Sequence, residues 1–171
     1  MKGNPQRPLP IPHSPSLIPP LSKFADYLES VLLTLWVGGL WAIGYLAAPV
    51  LFANLPDRML AGALAGRLFA GIAWVGLGCG IVVLALGALR LGAAAMGNRQ
   101  SWIVAAMLAL TLAGHFGVQP VLQALKDEVA PAPVMDSPNR AAFGRWHGIS
   151  SGIYLVESLL GLVVLRSRRV S

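Results

Sequence analysis

Between Arg67 and Arg90 the chain reads Leu68-Phe69-Ala70-Gly71-Ile72-Ala73-Trp74-Val75-Gly76-Leu77-Gly78-Cys79-Gly80-Ile81-Val82-Val83-Leu84-Ala85-Leu86-Gly87-Ala88-Leu89, with no charge and no proline. A helix crossing a bilayer core needs about 20 apolar residues, and this run supplies them. Helix is required because hydrocarbon holds no water to satisfy an open backbone. Three further runs repeat the pattern. Ser30 to Pro56 and Gln100 to Leu125 are uncharged, and Gly148 to Leu165 is interrupted only by Glu157. With their flanks they predict spans at about 27–55, 60–90, 100–125 and 138–166: an all-α, four-helix transmembrane bundle over residues 23–171.

Composition agrees. The 171 residues are 56% hydrophobic and only 12% charged, where a soluble globule has about a quarter charged. Thirteen Lys and Arg against seven Asp and Glu give a formal charge of +6. These cations lie between apolar runs rather than in one patch, so no nucleic-acid partner is implied. The single cysteine, Cys79, excludes an internal disulfide framework and reads as a small core residue. Residues 1–22 hold seven of the 13 prolines and predict a disordered, extended tail. That tail has no continuous apolar stretch of signal-peptide type, so it is expected to be retained.

Turn signals separate the spans. Asn54-Leu55-Pro56-Asp57 reads as the first turn, Gly92 to Asn98 as a short link, and Ala130 to Asp136 as the longest loop. Ser137-Pro138 has the form of an N-cap followed by proline at the first helical position. Four spans leave both termini on one face, which carries 8 Lys and Arg against 5 on the other. Both termini are therefore expected in the cytoplasm of a multi-pass inner-membrane protein, with Arg166, Arg168 and Arg169 against anionic lipid.

Small residues four apart, at Gly62/Gly66, Gly76/Gly80 and Gly148/Gly152, let helix backbones approach closely within the chain, in a homo-oligomer or in a larger membrane complex. Gly38 and Gly39 are further packing residues of the first span, and the deep tryptophans (Trp36, Trp41, Trp74) are expected to pack against glycine faces. Pro49 and Pro120 each remove an amide donor, freeing the carbonyls of Tyr45 and Phe116. Both lie toward the outer ends of their spans, so the outer half should be less regular and the better place for a cavity.

Few polar residues enter the spans. His115 lies 16 residues from Arg99, and His147 lies 19 from Arg166. At about 1.5 Å per residue both imidazoles sit roughly 24 to 28 Å from the inner face. Arg67, Arg145, Trp146 and Tyr45 share that slab. Two level histidines are the ligand pair of a b-type haem, with arginines near its propionates. Two nitrogens alone make an incomplete metal site, and the scattered methionines argue against copper. Glu157, roughly 13 Å from the inner face, is the one deep carboxylate. No Lys or Arg shares its depth, so it should be protonated and bonded to a neighbour, the chemistry of a proton-coupled carrier. Asp26 and Glu29 mark the start of the first span and read as interfacial.

Three motifs carry a resemblance. The first span holds Thr34-Leu35-Trp36-Val37-Gly38-Gly39 and Ala48-Pro49-Val50-Leu51-Phe52; the second opens Ala61-Gly62-Ala63-Leu64-Ala65-Gly66-Arg67-Leu68-Phe69; the fourth reads Phe143-Gly144-Arg145-Trp146-His147-Gly148-Ile149-Ser150. In that order, over roughly residues 25–166, the chain resembles the transmembrane protein 205-like family, a domain of unknown function linked to drug tolerance. More distantly it is similar to the copper-resistance-protein-D-like four-helix superfamily. The resemblance implies a four-helix membrane protein with His147 inside a family motif and haem as a candidate cofactor.

Three functions follow. One is a non-enzymatic accessory or tolerance protein. The second is a haem b or metal-binding electron-transfer protein using His147 and His115. The third is a small proton-coupled carrier using Glu157. No nucleophile–base pair or phosphate loop is present, so the sequence leans away from an enzyme. Reporters fused to the two ends should both report the cytoplasm; a split result contradicts the four-span topology.

Overall fold

The computed structural model describes residues 19–168. Positions 1–18 of the expected tail lie outside the described residues. The first helix begins at Pro19. Proline is tolerated there, since a helix's first turn has no partner for its N–H groups anyway.

Four helices are long and apolar enough to cross a membrane: Lys23–Asn54, Arg58–Leu91, Arg99–Asp127 and Arg140–Ser167. No strand occurs among the described residues. We refer to them as the first to fourth spans. Their ends obey local chemistry. The Asp57 carboxylate accepts from the N–H groups of Met59 at 2.8 Å and Leu60 at 3.2 Å, capping the second span. Gly92 closes that span at a φ of +53°, a conformation that favours glycine. Asn98 caps the third span by accepting from the Gln100 N–H at 3.0 Å. Ser137 caps a turn instead of a helix: its hydroxyl accepts from the Asn139 N–H at 3.2 Å, and the fourth helix begins at Arg140.

The two internal prolines are absorbed by wide turns. Ile43–Ala47 and Ala113–Val118 are π-helical and lie just before Pro49 and Pro120. There the Ala48 N–H reaches back five residues to the Ile43 carbonyl, and the Gln119 N–H to that of Gly114. Such π turns re-route hydrogen bonds where the regular ladder is interrupted. The half of the bundle nearer Asn54 and Arg140 is thus the irregular one, as the prolines predict. The cavity expectation fares differently. A groove of about 230 Å³, lined by Leu84, Ala88, Ala95, Ser101, Trp102 and Ala105, opens at the opposite end, beside the Gly92–Gly97 link.

The core draws on all four spans: Leu33, Trp36, Val37 and Leu40; Ile72, Leu77, Cys79 and Val83; Val104, Met107 and Leu108; and Val164. Lipid is as apolar as leucine, so close packing and hydrogen bonds, rather than water exclusion, must hold these helices together. Glycine supplies the closeness at chosen points. A Cβ at Gly76 or Gly80 would overlap the Trp36 indole, one at Gly39 would meet Ile72, and one at Gly161 would meet Val37. Gly38, Gly66, Gly148 and Gly152 face nothing within 4 Å, and Gly62 only the tip of Phe52 at 3.9 Å. Of the three glycine pairs, only Gly76/Gly80 holds a close helix approach at both positions. Trp36 therefore packs on a glycine face, whereas Trp74 is 59% exposed and Trp41 donates its indole N–H to the Ser158 carbonyl at 3.4 Å.

Gly76→Val should push Trp36 off the second span and cost about 1–3 kcal/mol, the usual range for overpacking. Gly148→Val, with open space beside it, should change stability by less than about 0.5 kcal/mol. Thermal unfolding in one detergent compares them; equal losses would contradict the packing described.

Candidate functional site

The polar centre of the bundle lies where the first, third and fourth spans meet over the glycine face of the second. The first and fourth spans run side by side in fixed register. Val37 covers Gly161, Trp41 reaches the Ser158 carbonyl, and the Tyr154 hydroxyl donates to the Leu40 carbonyl. The Tyr154 ring covers Gly44 inside the first wide turn, where a Cβ would overlap it. Around Tyr154 stand Tyr45, with centroids 6.2 Å apart, and Phe69, edge-on at 5.1 Å. One turn further along the fourth span, this register carries Glu157 and Ser158 into the interior, 4% and 0% exposed.

Glu157 meets Thr111, itself 5% exposed. The Thr111 Oγ1 lies 2.7 Å from Glu157 Oε1 and 3.0 Å from the Met107 carbonyl oxygen. A hydroxyl has one proton, and a carbonyl can only accept. Both contacts are full hydrogen bonds when the carboxyl is neutral and donates to Thr111, which in turn donates to Met107. Among the described residues no Lys or Arg pairs with Glu157. Trp36 is the other donor beside the carboxyl. Its Nε1 is buried and has no hydrogen-bond partner.

A second polar group ties the ends of three spans. Arg90 pairs with Asp26 at 2.7 Å and with Glu29 at 3.4 Å, and Gln100 donates to Glu29 at 2.8 Å. Asp26 is exposed, as an interfacial residue should be, but Glu29 is only 8% exposed. Glu29 thus stands at the start of the first span but is enclosed by protein. Arg90 and Gln100 draw it inward, and the network clamps the start of the first span to the end of the second and the start of the third.

The histidines lie elsewhere. His115, half-buried, packs edge-on against Trp74 of the second span at 5.4 Å and against Phe116. His147 is exposed and stacks on Phe143 one turn back on its own helix, at 5.8 Å and 10°. Lys126 Nζ sits 5.6 Å from that Phe143 ring. Arg67 and Arg145 are exposed. The ring contacts of His115 lead to the second span and those of His147 along the fourth. Among the described residues no group of three or more His, Cys, Asp or Glu side chains could hold a metal ion.

Thr111 carries no charge and belongs to no motif, so nothing in the sequence singles it out. A depth count extended to hydroxyls does find it. Thr111 lies 12 residues from Arg99 and Glu157 lies 10 from Ser167, which puts both roughly 15 to 18 Å from the same end of the bundle.

The chain belongs to a family described as a domain of unknown function (DUF4149), whose match runs over residues 31–131, more than half of the chain. That range takes in Trp36 and Thr111. No curated protein and no solved structure matches the chain.

Thr111→Val keeps the shape but strips the carboxyl of its hydroxyl partner. It should cost about 1–3 kcal/mol in thermal unfolding, the penalty for leaving a buried polar group unpaired, and Thr111→Ser should restore most of it. Equal stability of Val and wild type would show that the hydroxyl is not bonded.

Proposed function

We propose that this family member is a small proton-coupled carrier, a non-enzymatic membrane protein whose proton sits on Glu157. The observation behind this reading is one carboxyl, 4% exposed at the crossing of three spans, bonded to a hydroxyl and, among the described residues, to no cation. A carboxyl inside a membrane bundle is costly, and such residues mark ion and proton paths. Ligating chemistry is absent from its surroundings: the neighbours are Thr111, Trp36 and, one turn away, Tyr154, which suit a proton rather than a metal. Its place one turn from the wide turn in the first span adds support, because π turns are frequent at functional positions. The motif resemblance to a tolerance-linked family favours moving a solute over transforming one.

We place the protein in a cell's inner membrane with both ends cytoplasmic. The excess of 8 Lys and Arg against 5 supports that orientation.

Purified protein in proteoliposomes, given a pH gradient and a panel of labelled amines, organic cations and carboxylates, tests the carrier. At least one solute should accumulate above empty vesicles, and Glu157→Gln should abolish the accumulation. Uptake that is the same in wild type and Glu157→Gln, or absent for the whole panel, overturns the reading.

A further inference from the structure

We propose that Trp36 is a positioning residue for Glu157: its buried, unpartnered indole N–H is the donor reserved for the carboxylate that forms when Glu157 gives up its proton. This inference rests on the proton-site reading and adds the group that receives the charge.

The indole at position 36 carries an apparent waste. Trp36 is 0% exposed, and its Nε1 has no acceptor. An orphaned buried donor costs about 1–3 kcal/mol. Phenylalanine would present an aromatic face to Gly76 and Gly80 without that cost. The structure nonetheless places an indole here: the register that seats Val37 over Gly161 and ties Tyr154 to Leu40 sets Trp36 against the turn of the fourth span that carries Glu157.

The groups facing Glu157 can be taken element by element. The first span offers Trp36, and the third offers Thr111. The fourth offers Tyr154, whose own hydroxyl proton is committed to the Leu40 carbonyl. The second span brings glycine beneath the indole. Two donors are therefore available to a carboxylate, and they differ in state. Thr111 can turn its proton from the Met107 carbonyl to Glu157 Oε1. Trp36 need break nothing, because its N–H is unused.

The step balances. In the neutral state the carboxyl proton lies toward Thr111 and the Thr111 proton toward Met107. On release, the O–H bond of the carboxyl breaks and its proton passes to water at the membrane surface, while the electron pair stays on Glu157. Thr111 then donates to one carboxylate oxygen and Trp36 to the carboxylate from the other side. Bonds to an ionised acceptor are roughly twice as strong as neutral ones, so the donor wasted in the first state is used in the second. The site thereby has two satisfied hydrogen-bond patterns, which a carboxyl serving only as helix glue does not need.

The test uses the full chain in lipid nanodiscs with indole-¹⁵N tryptophan. The Trp36 Nε1–H resonance is assigned by its loss in Trp36→Phe. Infrared spectra of the same samples follow the protonated carboxyl stretch, assigned by its loss in Glu157→Gln. As pH rises, the indole resonance should move downfield with the same midpoint at which the carboxyl band disappears, and in Glu157→Gln it should stay fixed. Should Trp36→Phe not fold, single replacements of Trp41, Trp74, Trp102 and Trp146 assign the Trp36 resonance by elimination, and the coincidence of the two midpoints in wild type carries the test. An indole resonance that stays put while the carboxyl band vanishes overturns the role of Trp36 and leaves the carrier standing. A carboxyl band that persists at every pH overturns this inference, whereas failure of solute uptake with the two midpoints coincident overturns the carrier alone.

Discussion

Inside a bilayer there is no water to accept or donate a hydrogen bond, and that constraint shapes the spans of this protein. It makes four helices the form of the chain, because a helix satisfies its own backbone. It also decides what happens where the backbone cannot be satisfied: Pro49 and Pro120 would leave gaps in the ladder, and π turns precede both. The same rule governs side chains. Ser151, Ser158 and Thr111 return their hydroxyls to carbonyls one turn back. Tyr154 gives its hydroxyl to Leu40 and Trp41 its indole to Ser158, and both bonds double as ties between the first and fourth spans.

Since lipid does not drive apolar helices together, contact must come from fit. The fit is local. The indole of Trp36 lies in a slot made by Gly76 and Gly80, and Val37 and Ile72 fill the faces of Gly161 and Gly39. Elsewhere the surface is broad and apolar, with Leu89 and Leu46 79% and 65% exposed, as suits a solvent of acyl chains. At one end the Arg90, Asp26, Glu29 and Gln100 network supplies an electrostatic tie; toward the middle, Glu157 and Thr111 supply the other polar tie. The first matches opposite charges. The second has no charge partner among the described residues, which is why it carries the functional reading.

The spans, the turn at Asp57, the Gly92 link and the irregular half were legible in the sequence, because each follows from a local rule about charge, proline or capping. The depth of Glu157 was legible too, by counting along one helix. The partner of Glu157 was not. Thr111 is 46 positions away on another helix, and only the rotation of both helices brings the two oxygens together. The ring partners of the histidines were equally hidden: His115 meets Trp74 on another span and His147 meets Phe143 on its own helix. The glycine pairs make the same point. All three have identical spacing, but spacing does not say which way a helix faces, and only Gly76/Gly80 turns inward.

The account stands on a neutral carboxyl bonded to Thr111 in the middle of a lipid-embedded bundle. Magic-angle-spinning NMR of the protein in lipid, with carbon-labelled glutamate and threonine, measures this directly at neutral pH. The account predicts that the Glu157 carboxyl carbon has the chemical shift of a protonated acid and shows a through-space cross-peak to the Thr111 side chain. A carboxylate shift with no contact to Thr111 would contradict it.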